Sequence, residues 1–171
     1  IFVNGASNVT VRGRGIIDSS DLVWGERDSI MIEKSSYVTV EGVIERNNVR
    51  YGMFSRMSDH VNATNIKIFG IAGNTDGLIA QDSQNNVYDG CFVRTNDDQV
   101  YANSRDLEDC RDNVFKNIVV WTDRGHSIGV TCGSVSDVYN ITFQNCDVLH
   151  SFGAEDFYDI PLAAYTNDDH V

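Results

Sequence analysis

One short pattern recurs six times along the chain, and it limits the possible folds more than any other feature. Each copy places β-prone residues around a polar one and ends in Gly or Asn, in the segments VTVRG (9–13), VTVEG (38–42), IKIFG (66–70), VYDG (87–90), VFKN (114–117) and ITFQN (141–145). The residue two places before each Gly or Asn serves as an anchor: Val11, Val40, Ile68, Tyr88, Phe115 and Phe143. Successive anchors lie 29, 28, 20, 27 and 28 residues apart. A period in the twenties, built from short strands without an amphipathic helix, predicts a solenoid.

The Gly or Asn that closes each copy indicates where a rung of the solenoid turns. These two residue types adopt left-handed backbone angles at low cost, so each rung is expected to bend at the same place. The sequence therefore predicts an all-β fold, a right-handed parallel β-helix of about six rungs, because parallel crossovers are almost always right-handed. The alternative is an antiparallel sandwich. The two-residue hairpin turns that a sandwich favours are scarce, and Asn4-Gly5 is the only Asn-Gly pair.

Composition fits one globular domain and narrows the range of partners. The 171 residues are 42% hydrophobic, enough for a sizeable core. Acidic residues outnumber basic ones 25 to 13 and the formal charge is −12, which argues against nucleic acid or an anionic membrane as partner. No run of about 18 apolar residues occurs, so we expect no membrane span. The chain begins at Ile1 without a signal peptide, and we expect residues 1–171 to be a single β-helix domain, a fragment or the central part of a larger enzyme.

The four cysteines form no C-x-x-C pair, so a zinc cluster is not expected. Cys91 and Cys146 each lie three residues after an anchor but two rungs apart. That is roughly 9.6 Å at the strand spacing of a sheet, beyond the Cα limit of roughly 7 Å for a disulfide. We therefore expect both to pack as interior thiols. Cys110 and Cys132 fall in variable turns and are the candidates for a disulfide.

Four titratable residues lie at nearly the same offset from their anchors. Asp76 lies 8 residues after its anchor, Asp97 and Asp98 lie 9 and 10 after the next, and His126 lies 11 after the one following. In a β-helix, equal offsets stack on one face, about 4.8 Å apart per rung. The sequence therefore predicts that these side chains form one strip across three successive rungs.

Clustered carboxylates of this kind suit glycoside hydrolysis. Like charges at close range cannot all ionise freely, so the pKa of one carboxyl is raised. A protonated carboxyl can give its proton to the leaving oxygen while the others deprotonate a water on the opposite face of the sugar, as in an inverting glycosidase. Two simpler roles for these acids stay open. In the first, the acids only stabilise turns, and Asn74, Asp76 and Gly77 are residue types that favour a turn. In the second, the clustered carboxylates bind Ca²⁺.

The segments that carry these residues resemble the core of glycoside hydrolase family 28, the polygalacturonase family. The matching motifs are NTDG (74–77), CFVRT followed by NDD (91–98), and RGH followed by SIG (124–129). The resemblance covers roughly residues 60–150, and it implies a right-handed parallel β-helix and an inverting mechanism. It also implies that Asp97 is the general acid, that Asp76 and Asp98 hold and activate the water, and that His126 lies beside the acid and tunes its protonation. No metal or other cofactor is expected.

The chain departs from the family pattern at three places. Asn96 stands where the family has Gly before the Asp pair, and Ser127 stands where it has Gly after the His. The Arg-x-Lys element that grips a uronate carboxylate is absent, since no base follows Arg124. The related family 49 dextranases and isopullulanases share the fold and the three-Asp arrangement but cleave neutral α-glucans. The expected substrate is therefore a plant or microbial polysaccharide, either pectin-type or a neutral α-glucan.

Five residues around the strip are candidate substrate contacts: Asn74, Asn96, Tyr101, Trp121 and Arg124. Aromatic rings beside a glycan cleft stack on sugar faces. Tyr101 and Trp121 would then border the substrate, although packing of the rings on the solenoid surface accounts for them equally well.

Two other functions remain open at the level of the sequence. A calcium-dependent polysaccharide lyase would need a base near the metal, and Arg94, Arg105 and Arg124 are the candidates. A non-catalytic β-helix, such as a carbohydrate-binding or adhesin segment, would use the aspartates only in turns or as surface charge. For the hydrolase we expect a polysaccharide as partner, no nucleic acid, no membrane, a monomeric state, and a secreted or periplasmic location.

Overall fold

Short parallel strands build the whole of the described structure. The computed structural model describes residues 1–105, 107–133, 135–151 and 162–166. These residues form 21 β-strands, and none of them lies in an α-helix. Among the described residues there is accordingly no helix able to cross a membrane. Every strand pair is parallel.

The strands, numbered in chain order, belong to three long sheets and one short pair. Sheet A contains β1 (Phe2–Asn4), β4 (Ile30–Glu33), β7 (Met53–Arg56), β10 (Leu78–Gln81), β13 (Val100–Asn103), β17 (Ile128–Cys132) and β21 (Leu162–Thr166). Sheet B contains β2 (Ser7–Arg12), β5 (Ser36–Glu41), β8 (Asp59–Thr64), β11 (Val87–Asp89), β15 (Val114–Lys116) and β19 (Thr142–Gln144). Sheet C contains β3 (Ile16–Asp18), β6 (Ile44–Arg46), β9 (Lys67–Phe69), β12 (Phe92–Thr95), β16 (Val119–Thr122) and β20 (Asp147–Ser151). The short pair is β14 (Cys110–Arg111) with β18 (Val138–Tyr139).

The chain winds through sheets A, B and C in that order and then returns to sheet A one rung further on. Within each long sheet, every strand between the two end strands is hydrogen-bonded to the strand one turn before it and one turn after it, as β7 is to β4 and β10. The predicted parallel β-helix is thereby confirmed, and the antiparallel sandwich is excluded.

Apolar side chains stack in columns inside the solenoid. In sheet B one column is set by the register Val11, Val40, Ala63, Tyr88, Phe115 and Phe143. The rings of Tyr88 and Phe115 are stacked with centroids 4.6 Å apart, and those of Phe115 and Phe143 are 5.2 Å apart. Aromatic pairs in this range add roughly 0.5–1.5 kcal/mol beyond their area burial.

The register corrects one predicted anchor. Ile68 lies in β9 of sheet C, where its partners are Glu45 and Val93. The sheet B position on that rung belongs to Ala63. Asn65 (φ 54°) makes the left-handed bend there, and Gly70 does not. The small side chain of Ala63 hid the repeat, and the anomalous 20-residue spacing came from this wrong anchor.

The other predicted bends have the expected backbone conformation. Gly13, Gly42, Gly90, Asn117 and Asn145 all have positive φ. A Cβ on Gly42 would lie 2.5 Å from the carbonyl oxygen of Gly13 on the neighbouring rung, so the stacked corner also requires glycine for space.

All four cysteines are free thiols. Cys91 is buried in the core and Cys146 packs against it, as expected. The candidate Cys110–Cys132 disulfide is not formed, because Cys110 is buried in the core. Its thiol lies 3.4 Å from the carbonyl oxygen of Ala80.

Candidate active site

Titratable residues occupy equivalent positions just before three successive strands of sheet A. Leu78, Val100 and Ile128 are aligned in β10, β13 and β17, so the residues two places earlier, Asp76, Asp98 and His126, occupy equivalent positions on three successive rungs. The backbone continues the ladder here. Gly77 N–H donates to the Asp98 carbonyl at 2.8 Å, and Gln99 N–H donates to the His126 carbonyl at 2.8 Å. The structure thus brings three of the four residues of the predicted strip into one column, with Asp97 next to it.

The same column extends toward the N-terminal rungs. Ile30 and Met53 are the aligned residues of β4 and β7, so Asp28 and Tyr51 lie in the positions equivalent to Asp76. The Asp28 side chain is nearly inaccessible, and its closest base is Arg50, with Nε 3.5 Å from the carboxylate. Burial raises the pKa of Asp28, and the Arg50 charge opposes that rise.

Asp98 is held by His126 through two hydrogen bonds. The backbone N–H of His126 donates to Oδ1 of Asp98 at 3.0 Å, and Nδ1 of the ring lies 2.8 Å from the same oxygen. The bond to Asp98 raises the pKa of His126, against the opposing effect of burial. The resemblance placed this histidine beside Asp97, but the hydrogen bonds join it to Asp98. Its charge lowers the pKa of Asp97 only as a minor effect.

Asp97 has a raised pKa and a tightly packed neighbour. Burial, followed by the charge of Asp98, raises its pKa to about 6, while Arg124 pulls the pKa down. A Cβ on Gly125 (φ +81°) would lie 2.8 Å from Oδ1 of Asp97. Only glycine suits this position, because both the left-handed angle and the close approach exclude a side chain.

The pKa of Asp76 is raised well above its ordinary range. Burial is the main cause, and the charges of Asp97 and Asp98 add to it. Arg105 opposes this rise. Because like charges at close range oppose ionisation, the raised pKa values of Asp76 and Asp97 favour the protonated form of these two carboxyls in mildly acidic solution.

A small cavity of about 60 Å³ opens between Asp76 and Asp98. Its lining comes from the column and the outer face of sheet A: Tyr51, Asp76, Ile79, Gln81, Asp98, Tyr101, Asn103 and Arg105. Tyr101 therefore borders the site, as predicted, and it is buried against Phe54 and Ile79. The backbone of Arg105 is held by its N–H, which donates to Oδ1 of Asp82 at 2.6 Å. A larger cavity, about 470 Å³, lies at the N-terminal rungs near Asp28 and does not include the three aspartates.

Gln99 fixes the turn that carries Asp97 and Asp98. Its buried side-chain oxygen accepts a hydrogen bond from the Thr95 N–H at 2.9 Å. Its amide nitrogen donates to the carbonyl oxygens of Thr95 and Asp97, at 3.0 and 2.6 Å. One side chain thus satisfies three backbone groups and closes the turn at both ends. Sequence inspection missed this residue because glutamine in a turn has no distinctive pattern.

Buried hydroxyls hold the equivalent turns on the neighbouring rungs. Thr75 Oγ1 donates to the Ala72 carbonyl at 2.8 Å and accepts the Asn96 N–H at 3.2 Å, which joins the Asp76 turn to the Asp97 turn. On the next rung, the hydroxyls of Thr122 and Ser127 lie 2.6 Å apart, beside His126. The candidate site is therefore built on three turns, each stabilised by hydrogen bonds of a buried side chain.

The other residues predicted to contact substrate differ in how near they lie to the three aspartates. Asn74 (φ 58°) is exposed in the Asp76 turn, and Asn96 is part of the Asp97 turn. Arg124 is exposed and acts electrostatically on Asp97. Trp121 lies on the outer face of sheet C, with the Arg94 guanidinium 5.1 Å from its ring centroid and the His150 ring centroid also 5.1 Å away. Its role as a substrate contact stays a prediction.

No group of three or more His, Cys, Asp or Glu side chains in the described part of the chain is placed to hold a metal ion.

Comparison with protein-family models, with curated proteins and with solved structures finds no match for this chain.

Proposed function

We propose that this chain is a polysaccharide-cleaving glycoside hydrolase that acts with inversion. The observation that carries the proposal is the column itself. Asp76 and Asp98 lie on adjacent rungs beside Asp97, and the pKa values of Asp76 and Asp97 are both raised. A proton-bearing carboxyl next to a carboxylate that is held by histidine provides an acid and a base in one site.

Asp97 serves as the general acid in this mechanism. With its pKa at about 6, it holds a proton in mildly acidic solution and releases it to the glycosidic oxygen as the bond from C1 to that oxygen breaks. Asp98, held by His126, takes a proton from water, and the water oxygen bonds to C1 from the opposite face. Asp76 keeps its proton and hydrogen-bonds the attacking water.

The rung spacing separates Asp76 from Asp97 by about one strand distance. Neighbouring strands lie about 4.8 Å apart, and side-chain reach extends the separation of these two carboxyls toward the roughly 6.5–9.5 Å of an inverting site. That gap leaves room for the water that Asp76 hydrogen-bonds and Asp98 deprotonates.

The charge of the chain favours a neutral or weakly charged glycan. Acids outnumber bases by 25 to 13, and this excess of negative charge repels a polyanion. Arg105 on the cavity and Arg124 near Asp97 are bases that a pectin-type substrate would use, so both substrate classes belong in the assay.

The test is release of reducing ends from dextran, pullulan and polygalacturonate, with Asp97→Asn as the matched variant. We expect cleavage of a neutral glucan that falls by at least about 100-fold in Asp97→Asn, since general acid catalysis contributes about 10²–10⁴-fold. Proton NMR of the first product should show the inverted anomer. Activity unchanged in Asp97→Asn would mean that the aspartates are only turn or surface residues.

A calcium-dependent lyase is the second candidate, and Arg105 favours it, because this base lines the same cavity as Asp76 and Asp98. The absence of a metal-holding group among the described residues counts against it. A lyase would release an unsaturated, ultraviolet-absorbing product from polygalacturonate and would lose activity with a chelator. Hydrolysis gives neither result.

A further inference from the structure

Trp24 presents an open indole ring beside the candidate site. It lies in the connection from β3 to β4, and 66% of its surface is exposed. Its Nε1–H donates to the carbonyl oxygen of Gly73. The polar edge of the indole is thus satisfied by the protein, and the orientation of the ring is fixed while much of it faces solvent.

Gly73 connects Trp24 to the catalytic column. It belongs to the connection from β9 to β10 and lies three residues before Asp76. Connections from sheet C to sheet A carry Asp97, Asp98 and His126 on the following rungs. Trp24 therefore lies on the same side of the solenoid as the three aspartates.

The loop that carries Trp24 is ordered by its own contacts. Gly25 N–H donates to the carbonyl of Val49 on the next rung at 2.8 Å, and Glu26 N–H donates to the carbonyl of Val23 at 3.0 Å. The Glu26 carboxylate accepts the N–H of Val23 at 3.1 Å. These bonds hold the indole in place before any ligand arrives, which lowers the entropic cost of binding.

Two exposed apolar side chains belong to the same two connections as Trp24 and Gly73. Val23 is 73% exposed, and Ile71, two residues before Gly73, is 76% exposed. The second tryptophan of the chain differs, because Trp121 has Arg94 and His150 packed against its ring. Of the two, Trp24 has the ring available to a ligand.

We propose that Trp24 is a stacking platform for a pyranose ring, at a subsite of the glycan beside Asp76. The proposal rests on the proposed function and names a contact that the catalytic column does not include. A sugar has an apolar C–H face that packs on an indole, and a ring-sized surface suits one sugar unit. A second copy of this chain fits less well. Three side chains of at most about 250 Å² each do not reach the roughly 800 Å² per partner of a stable interface.

Fluorescence isolates this contact because the chain has only two tryptophans. Trp121→Phe leaves Trp24 as the sole indole, and Asp97→Asn in the same chain prevents turnover. We expect titration with isomalto-, malto- or galacturono-oligosaccharides to produce a saturable change in emission. By calorimetry, Trp24→Ala should weaken binding about tenfold and Trp24→Phe by less than threefold, in line with the contribution of an aromatic contact.

Each alternative result overturns the proposal in a distinguishable way. Oligosaccharide binding without a change in Trp24 emission, and within twofold in Trp24→Ala, removes the subsite but leaves the hydrolase standing. The absence of binding to any of these oligosaccharides removes both. A dimer in sedimentation that Trp24→Ala converts to monomer would assign the ring to self-association.

Discussion

Glu45 offers the sharpest test of the interior of this solenoid. It lies in the middle of β6 and is fully buried, with Ile17 and Ile68 at its register position on the adjacent rungs. The side chain of Asn48 donates to Oε2 at 3.2 Å, and Oε1 has no hydrogen-bond partner. A carboxylate here would be almost unsolvated, so burial raises the pKa of Glu45 to about 8.

This pKa sets the direction and size of a pH effect. The folded protein keeps the Glu45 proton up to about pH 8, whereas an unfolded glutamate releases it near its ordinary value of 4.5. Between these values the unfolded state binds fewer protons, so the free energy of unfolding falls as pH rises. The slope is about 1.4 kcal/mol per pH unit, or about 5 kcal/mol over the whole window. Outside the window this contribution is flat.

Glu45→Gln removes the titration while keeping the size of the side chain. We expect the free energy of unfolding, measured by urea denaturation from pH 4.5 to 9, to change less with pH in the variant than in the parent. The difference between them should grow with pH and level off near pH 8. The amide introduced by Glu45→Gln is also buried without a full set of partners, which lowers the free energy of unfolding by the same amount at every pH. The test therefore compares the slope of the free energy of unfolding against pH, and its absolute value is not compared.

Glu41→Gln is the matched control, since Glu41 is an exposed residue of β5. It should leave the slope unchanged. Asp76 and Asp97 also have raised pKa values and contribute to both curves, so subtraction removes their effect. The pKa of Asp28 is raised too, and its charge acts on Glu45, so the difference between the curves reports Glu45 together with its coupling to Asp28. Parallel curves for parent and Glu45→Gln would refute the reasoning, because Glu45 would then titrate alike in both states.

Three further substitutions test the architecture of the site. Gln99→Leu leaves three backbone groups unpartnered; at roughly 1–3 kcal/mol for each buried group, urea denaturation should show a loss of at least about 3 kcal/mol. Gly125→Ala should cost about 1–2 kcal/mol from its left-handed angle and more from the clash with the adjacent carboxyl, whereas Gly15→Ala, which has open space and no left-handed angle, should cost far less in the same assay. Asp98→Asn should lower the pKa of His126 toward its ordinary 6.5, a shift that NMR titration of the imidazole would detect and whose absence would contradict the pairing.

The fold was predictable from sequence because its signal is repeated. Left-handed Gly and Asn residues at a fixed interval indicate corners, and one wrong anchor, Ile68 in place of Ala63, did not change the conclusion. The adjacency of Asp98 and His126 was predictable for the same reason, since they lie 10 and 11 residues after their anchors. Asp76 lies 13 residues after its true anchor, Ala63, so its matching offset came from the wrong anchor and its place in the column follows from the longer connection on its rung. Their catalytic roles stay a prediction.

Other parts of the site depend on contacts that no periodic pattern encodes. Tyr51 and Arg105 line the cavity only because of the true strand register. Gln99 acts on backbone groups of its own turn, and Trp24 reaches a carbonyl 49 residues away. The paired motif at Asp97 could be recognised, but the direction of the His126 hydrogen bond toward Asp98 required atomic positions.

In the column before sheet A, the distance between two side chains can take only certain values. Groups at one register position are separated by whole numbers of rungs, in steps of about 4.8 Å. The two stereochemical outcomes of glycoside hydrolysis need carboxyl separations of about 5–5.5 Å and about 6.5–9.5 Å, which differ by less than one step. A solenoid cannot move between them by adding or deleting rungs. Smaller changes in the distance between two carboxyls require a change in side-chain length, such as the single methylene that separates Asp from Glu. Insertion of a rung between Asp76 and Asp98 would separate these residues too far and abolish the site.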